Sequence, residues 1–209
     1  MASTIISDNK LQAPRKRVRR SPIEARRALL EAAQTLLREQ GPTAVTLKAV
    51  SRRLGMTHGN VTHHFGTSSA LHAALVAKLA EELTERGEGA VVQLRKGEVS
   101  AEQIVDMVFE AFETSGLGKL FGWIAASGDT QELAPFMNVI RNSVRALRAG
   151  EPATTDKHAY GAGPIVLSLV SYALTAALVG EPLERATAMP KSSLKRLAAD
   201  ELRRLRARP

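Results

Sequence analysis

At 209 residues the chain can hold one sizeable core, or a small domain joined to a larger one. Its 44% hydrophobic and 24% charged residues suit a soluble globular protein, and its lack of cysteine excludes a disulfide framework, a thiolate zinc site and a thiol nucleophile. The formal net charge of +8 is unevenly spread: residues 1–66 hold twelve Lys/Arg against four Asp/Glu, and the remainder is balanced.

Such a field at one end suits a polyanion such as DNA, while a basic tail that only aids solubility is the plainer reading. Eight aromatics in all, with abundant alanine and leucine, favour helices over strands, because unbranched side chains lose little rotamer freedom in a helix.

Residues 1–20 lack apolar periodicity and carry Arg15, Lys16, Arg17, Arg19 and Arg20, which reads as a flexible basic arm. Ser21-Pro22-Ile23-Glu24 predicts a capped helix start, followed by the apolar face Leu29, Leu30, Ala33, Leu36 and Leu37 and a stop at Gly41-Pro42. Thr46 caps a short second helix running to about Leu54. Gly55 makes the turn, and Thr57 caps a third helix reaching roughly to Phe65. Ser68 or Ser69 is expected to cap a fourth helix, with Leu71, Leu75, Leu79 and Leu83 along one side, and residues 86–99 form a plausible break.

Ser100-Ala101-Glu102-Gln103 is a second capping box, with Ile104, Met107, Val108, Ala111 and Phe112 inward. A compact segment with Phe121, Trp123 and Ile124 follows. Leu133, Phe136, Met137, Ile140, Val144 and Leu147 then mark an amphipathic helix whose other face carries Arg141, Arg145 and Arg148. Residues 150–163 read as a loop, 164–179 as a helix apolar nearly all round, 181–190 as a proline-bounded loop and 192–207 as a last helix. The expected fold is all-α with about nine helices: a three-helix helix-turn-helix domain (21–66) followed by a helical-bundle domain (67–209).

Two short helices joined by a tight glycine turn form a helix-turn-helix, packed by Val45, Leu47, Val50, Leu54, Val61 and Phe65. The residues left for the outer face of its second helix are His58, Asn60, Thr62 and His63, all able to hydrogen-bond and none acidic. Gly59 costs that helix about 1 kcal/mol relative to alanine, which makes sense where a backbone must approach something closely.

The stretch Val45-Thr46-Leu47-Lys48-Ala49-Val50-Ser51-Arg52-Arg53-Leu54-Gly55-Met56-Thr57-His58-Gly59-Asn60-Val61-Thr62-His63-His64-Phe65 resembles the DNA-binding domain of the TetR family of bacterial regulators. The resemblance extends over residues 26–75, with Thr46, Gly55, Gly59, His64, Phe65 and Leu71 in register. It implies DNA contacts from Thr46, Lys48, Thr57, His58, Gly59, Asn60, Thr62, His63 and His64. The family's usual tyrosine and lysine, which commonly contact phosphates, are Thr62 and Ser68 here. Arg17 and Arg19 of the arm, together with Lys48, Arg52 and Arg53, are the expected replacements.

The resemblance also implies that the remaining residues bind a small effector and form a homodimer, chiefly through the last two long helices. Leu167, Val170 and Leu174 on one helix and Leu197 and Leu205 on the other are the expected dimer residues. Phe109, Phe112, Trp123, Phe136 and Tyr172 are the bulky candidates for contact with an apolar or aromatic effector, although such residues are more often core. Phe109 and Trp123 fall off the main stripes.

The histidine spacings at 58, 63 and 64 do not put two imidazoles on one helical face, so no metal is expected, and no cofactor. No phosphate-binding glycine loop, nucleophile elbow or acid–base carboxylate pair is found, so the chain is not expected to be an enzyme. The longest apolar run, 165–180, falls short of a bilayer span of ~20 residues, so no membrane span is expected, and the resemblance implies a place in the bacterial cytoplasm, on the nucleoid. A homodimeric repressor of a palindromic operator is the leading expectation. An architectural or non-specific DNA-binding protein, or a helix-turn-helix used for protein interaction, stand as alternatives.

Overall fold

The computed structural model describes residues 21–87, 93, 96–128, 130–148 and 162–206; the basic arm with Arg17 and Arg19 lies outside them. Among the described residues the chain is all-helical, without strands: α1 Pro22–Gln40, α2 Leu47–Arg53, α3 His58–Phe65, α4 Ser68–Gly87, α5 Ala101–Glu113, α6 Leu117–Ser127, α7 Ala134–Arg148, α8 Ala162–Ala186 and α9 Ser193–Arg206. Short 3-10 turns at Pro42–Ala44 and Thr130–Leu133 precede α2 and α7.

The starts of the amino-terminal helices follow their caps. Ser21 accepts from the Glu24 amide while Glu24 accepts from the Ser21 amide, so two donors that the helix cannot satisfy itself are paired reciprocally. Ser100 and Gln103 repeat this at α5. At α4 the cap is Thr67, whose hydroxyl accepts from the Ala70 amide at 3.1 Å, in place of the expected Ser68 or Ser69. The helix begins one residue earlier than the apolar pattern suggests, because Thr67 already has an amide three residues on to accept from.

In the head, α1 buries Leu29, Ala32, Ala33, Leu36 and Leu37 against α2, α4 and the turn between them, joined by Val45, Leu47, Val50, Val61 and Phe65. Each large side chain withdrawn from water there contributes roughly 1.5–3 kcal/mol before the entropy cost of ordering. The core is continuous with the body: α4 buries Leu71, Leu75, Val76 and Leu79 and packs on α1, α5, α6 and α7. Lys78 ties the two sides together, donating to Gln34 of α1 at 2.7 Å and pairing with Glu82 one turn on.

In the body, the segment with Phe121, Trp123 and Ile124 is a regular helix, α6, lying against α8. A Cβ at Gly118 would stand 2.4 Å from the Ala177 Cβ, and one at Gly122 2.8 Å from Leu178, so the two helices approach through glycines one turn apart.

Helix α8 is longer than the expected 164–179, continuing through Gly180 and Pro182 to Ala186. The proline lacks only its own amide donor, and it sits on an exposed last turn where water can serve the freed carbonyl. At 25 residues α8 is long and apolar enough to cross a membrane, unlike the shorter run read from the sequence. That test alone is weak, and α8 packs on α5, α6, α7 and α9. Glu184 accepts from the Ser192 and Leu194 amides and so fixes the start of α9, which buries Ala198, Ala199 and Leu202.

Candidate nucleic-acid interface

Helices α2 and α3 form the helix-turn-helix. Thr46 accepts from the Ala49 amide at 3.1 Å and Thr57 from the Asn60 amide at 3.3 Å, which starts each helix where the sequence places it. Gly55 turns the chain between them at φ 61, a conformation costly to a residue with a Cβ. Val50 and Val61 are fully buried and Phe65 nearly so; these three orient α3 on the α1 platform.

The outward side of α3 presents His58, Gly59, Asn60 and His63, all exposed. A Cβ at Gly59 would meet nothing within 4 Å, and its φ is not in the left-handed region. Nothing inside the described molecule therefore requires glycine at this position. Residues 41–66 contain no Asp or Glu, so nothing on this surface repels a polyanion. Thr46 and Thr57 are exposed, and each uses its oxygen as a cap, which leaves the hydroxyl hydrogen available to an acceptor outside.

Some expected contacts are otherwise engaged. The Thr62 hydroxyl is half-buried and donates to the His58 carbonyl at 3.0 Å, one turn back in its own helix. Arg53 makes a two-pronged pair with Glu39 of α1, at 2.8 and 3.1 Å. That pairing holds the Glu39 carboxyl below its ordinary range, chiefly through the hydrogen bonds from Arg53. Arg53 is therefore spent on fixing α2 to α1, which removes it from the expected replacements for the family's lysine. Lys48 and Arg52 are exposed and form no ion pair among the described residues.

His64 is half-buried at the end of α3, its ring edge-on to His63 at 5.8 Å. Partial burial first, then the charges of His63 and Arg26, lower its pKa below the usual imidazole value of 6.5. Arg26 escaped the sequence reading. Its guanidinium donates to the His64 carbonyl at 2.8 Å and lies 4.5 Å from the centre of the Phe65 ring, closing the carboxyl end of α3. The contact spans 38 residues, and no local pattern announces it.

Phe109, Phe112 and Phe136 are completely or almost completely buried, and Phe136 packs edge-to-face on both Phe112 and Phe121 at 5.6 Å. Phe109 falls off the main stripe because α5 is buried on two sides; it also borders a cleft of about 270 Å³ with Glu113, Glu184, Leu194 and Lys195. Trp123 and Tyr172 are half-buried, with Trp123 against His72.

Of the expected dimer residues, Leu167 is 69% and Leu197 44% exposed. Val170 and Leu174 are half-buried, and the Leu205 side chain lies outside the described residues.

The described residues thus form a three-helix head with a capped, glycine-turned helix-turn-helix, joined to a larger helical body. Residues 29–75 match the family model described as bacterial regulatory proteins, tetR family. Over these residues the chain is similar to the TetR family.

It is 38% identical over 61 residues to the HTH-type transcriptional repressor Rv3405c of Mycobacterium tuberculosis, covering 29% of this chain and 32% of that protein. Similarity to the HTH-type transcriptional repressor AcnR of Corynebacterium efficiens is 28% over 98 residues, 45% of this chain and 50% of that one. The matches thus span between a third and a half of these curated relatives. The fold extends further: the crystal structure of the multidrug binding protein EbrR complexed with imidazole superposes with a TM-score of 0.63. That superposition covers 88% of this chain and 96% of EbrR at 20% identity, a likeness of fold alone.

Proposed function

We propose that the chain is a DNA-binding transcriptional regulator, a homodimeric repressor that binds a palindromic operator and is released by a small apolar or aromatic effector. The observation that carries the reading is the outer face of α3: exposed His58, Asn60 and His63 around a glycine that nothing within the described molecule requires. A helix bare of acidic groups and open in its first turn can lie close to phosphates and base edges. Selection of bound duplexes from a random pool tests it. One palindrome should be preferred over random DNA by ~10³-fold or more. Weak binding to all sequences alike would favour an architectural protein, and no binding at low salt would favour a protein-interaction role.

In this reading residues 1–20 are a basic arm, 21–66 the reading head and 67–209 the effector and dimer domain. Support for a dimer comes from the stripe Leu167, Val170, Leu174 and Leu178 of α8, whose two ends are exposed, with exposed Met137 on α7. A second copy covering this stripe would hold two α3 helices about 34 Å apart, one turn of DNA. The paired substitutions Leu167→Glu and Leu197→Glu, at exposed positions, should give a monomer in sedimentation and remove palindrome binding. A monomeric parent protein would end the dimer proposal.

Loss of phosphate contacts at Thr62 and Ser68 makes arm residues such as Arg17 and Arg19 the proposed substitutes, with Lys48 and Arg52. Deleting residues 1–20 should flatten the slope of log affinity against log salt by ~0.9 per lost contact, and an unchanged slope would remove the arm from the interface. The proposed location is the bacterial cytoplasm, on the nucleoid.

A further inference from the structure

One buried polar cluster has no place in the reading above. His72, on α4, is only 5% exposed, and Glu132, in the 3-10 turn between α6 and α7, only 9%. The His72 Nε2 lies 2.8 Å from the Val45 carbonyl oxygen, and its Nδ1 lies 3.5 Å from Glu132 Oε2. The Trp123 ring of α6 stands edge-on to the imidazole at 4.9 Å. Glu132 Oε2 is fully buried and makes no hydrogen bond of ordinary geometry.

A carbonyl oxygen can only accept, so Nε2 must carry the hydrogen it shares with Val45. Nδ1 then faces a carboxyl oxygen, and two bare acceptors pressed together out of water would be costly. Nδ1 and Oε2 therefore stand as each other's polar neighbour, 3.5 Å apart. The result is a chain of polar contacts from the α6–α7 corner, through α4, to Val45: a hydrogen bond at Val45 and a 3.5 Å approach at Glu132. Val45 immediately precedes Thr46, whose hydroxyl starts α2, and α2 packs on α3. A shift of the corner pulls at the entry to the helix-turn-helix across residues otherwise far apart in sequence.

We propose that His72 is a positioning residue for DNA recognition: it latches the reading head to the α6–α7 corner of the body through the Val45 carbonyl and the Glu132 carboxyl. The proposal rests on the DNA-binding reading above. Its consequence is that operator affinity depends on Glu132, a residue of the body's interior with no route to DNA of its own.

The test uses the full-length protein and the best duplex from the random-pool selection. Glu132→Gln keeps a polar partner of the same shape beside Nδ1 and should bind close to the parent's affinity. Glu132→Leu leaves Nδ1 without a partner and should weaken binding by about tenfold, within the range of ordinary coupling between sites. A role in stability alone would lower the melting temperature of the Leu variant but leave its affinity unchanged well below that temperature, and would overturn the proposal.

A readout on the parent does not depend on any variant folding. Long-range nitrogen–proton NMR should show His72 protonated at Nε2, and saturation with the duplex should shift its ring nitrogens and the emission of Trp123. A bare Nε2, or resonances and emission that ignore the duplex, would overturn the latch while leaving DNA binding standing. A parent that binds no duplex at low salt would instead remove the DNA-binding reading, and the latch with it.

Discussion

The two exposed faces of this molecule, on α3 and on α8, contrast in what they offer. The α3 face is small and polar, and it is open at Gly59, where a side chain would meet nothing. The α8 face is aliphatic, with Leu167 and Leu178 of its stripe exposed. Water serves the first well and the second poorly. An apolar stripe left in solvent favours cover by another apolar surface, whereas a polar helix with a glycine in its first turn costs itself stability without any internal return. On the proposed reading, the first face suits recognition and the second suits assembly.

The interiors behind the faces are the largest test of that contrast. Phe136→Ala, which removes the ring shared by Phe112 and Phe121, should cost about 3–5 kcal/mol. In chemical denaturation the body should lose its transition. A head that keeps a separate transition would show the two regions to be independent units, and a single lost transition would show one.

Gly55→Ala comes next, at about 1–2 kcal/mol, because the turn holds a positive φ that a Cβ disfavours. This loss should appear in thermal melts together with weaker DNA binding, since the angle between α2 and α3 depends on it.

Gly59→Ala should do the opposite to stability, adding about 1 kcal/mol by helix propensity, while reducing DNA affinity by crowding the approach. Stabilisation without loss of binding would deny the α3 face its role. It is the sharpest test of the contrast between the two faces, since the two readouts must move in opposite directions.

The smallest effect concerns His64. Its pKa in the folded protein lies below 6.5, so the unfolded chain takes up the proton more readily. Stability is then complete above pH 6.5 and declines as the pH falls through the lowered value. Melting curves between pH 7.5 and 5 should show this decline in the parent and less of it in His64→Gln, and equal slopes would contradict it.

What could be read along the chain was what closes within four residues. The Ser21 and Ser100 boxes, the Thr46 and Thr57 caps and the Gly55 turn all join neighbours in sequence, and all stand where their pattern puts them. The cap of α4 was misplaced by one residue, since Thr67, Ser68 and Ser69 offer the same chemistry in succession. The end of α8 was misjudged because a proline at an exposed last turn need not break a helix.

Contacts between distant residues left no such mark. Arg53 reads as a free cation until Glu39 is found beside it, and Arg26 as a surface charge until it closes α3. His72 carries no local signal of its two partners, 27 and 60 residues away in either direction of the fold, at Val45 and Glu132.

The helix-turn-helix was thus determined by sequence alone, because caps, turn and apolar spacing are local and agree with one another. Tertiary structure decided which of its charges remain available to DNA, which aromatics are core, and how the body holds the head. Those are matters of which side chains meet across the fold, and only packing brings them together.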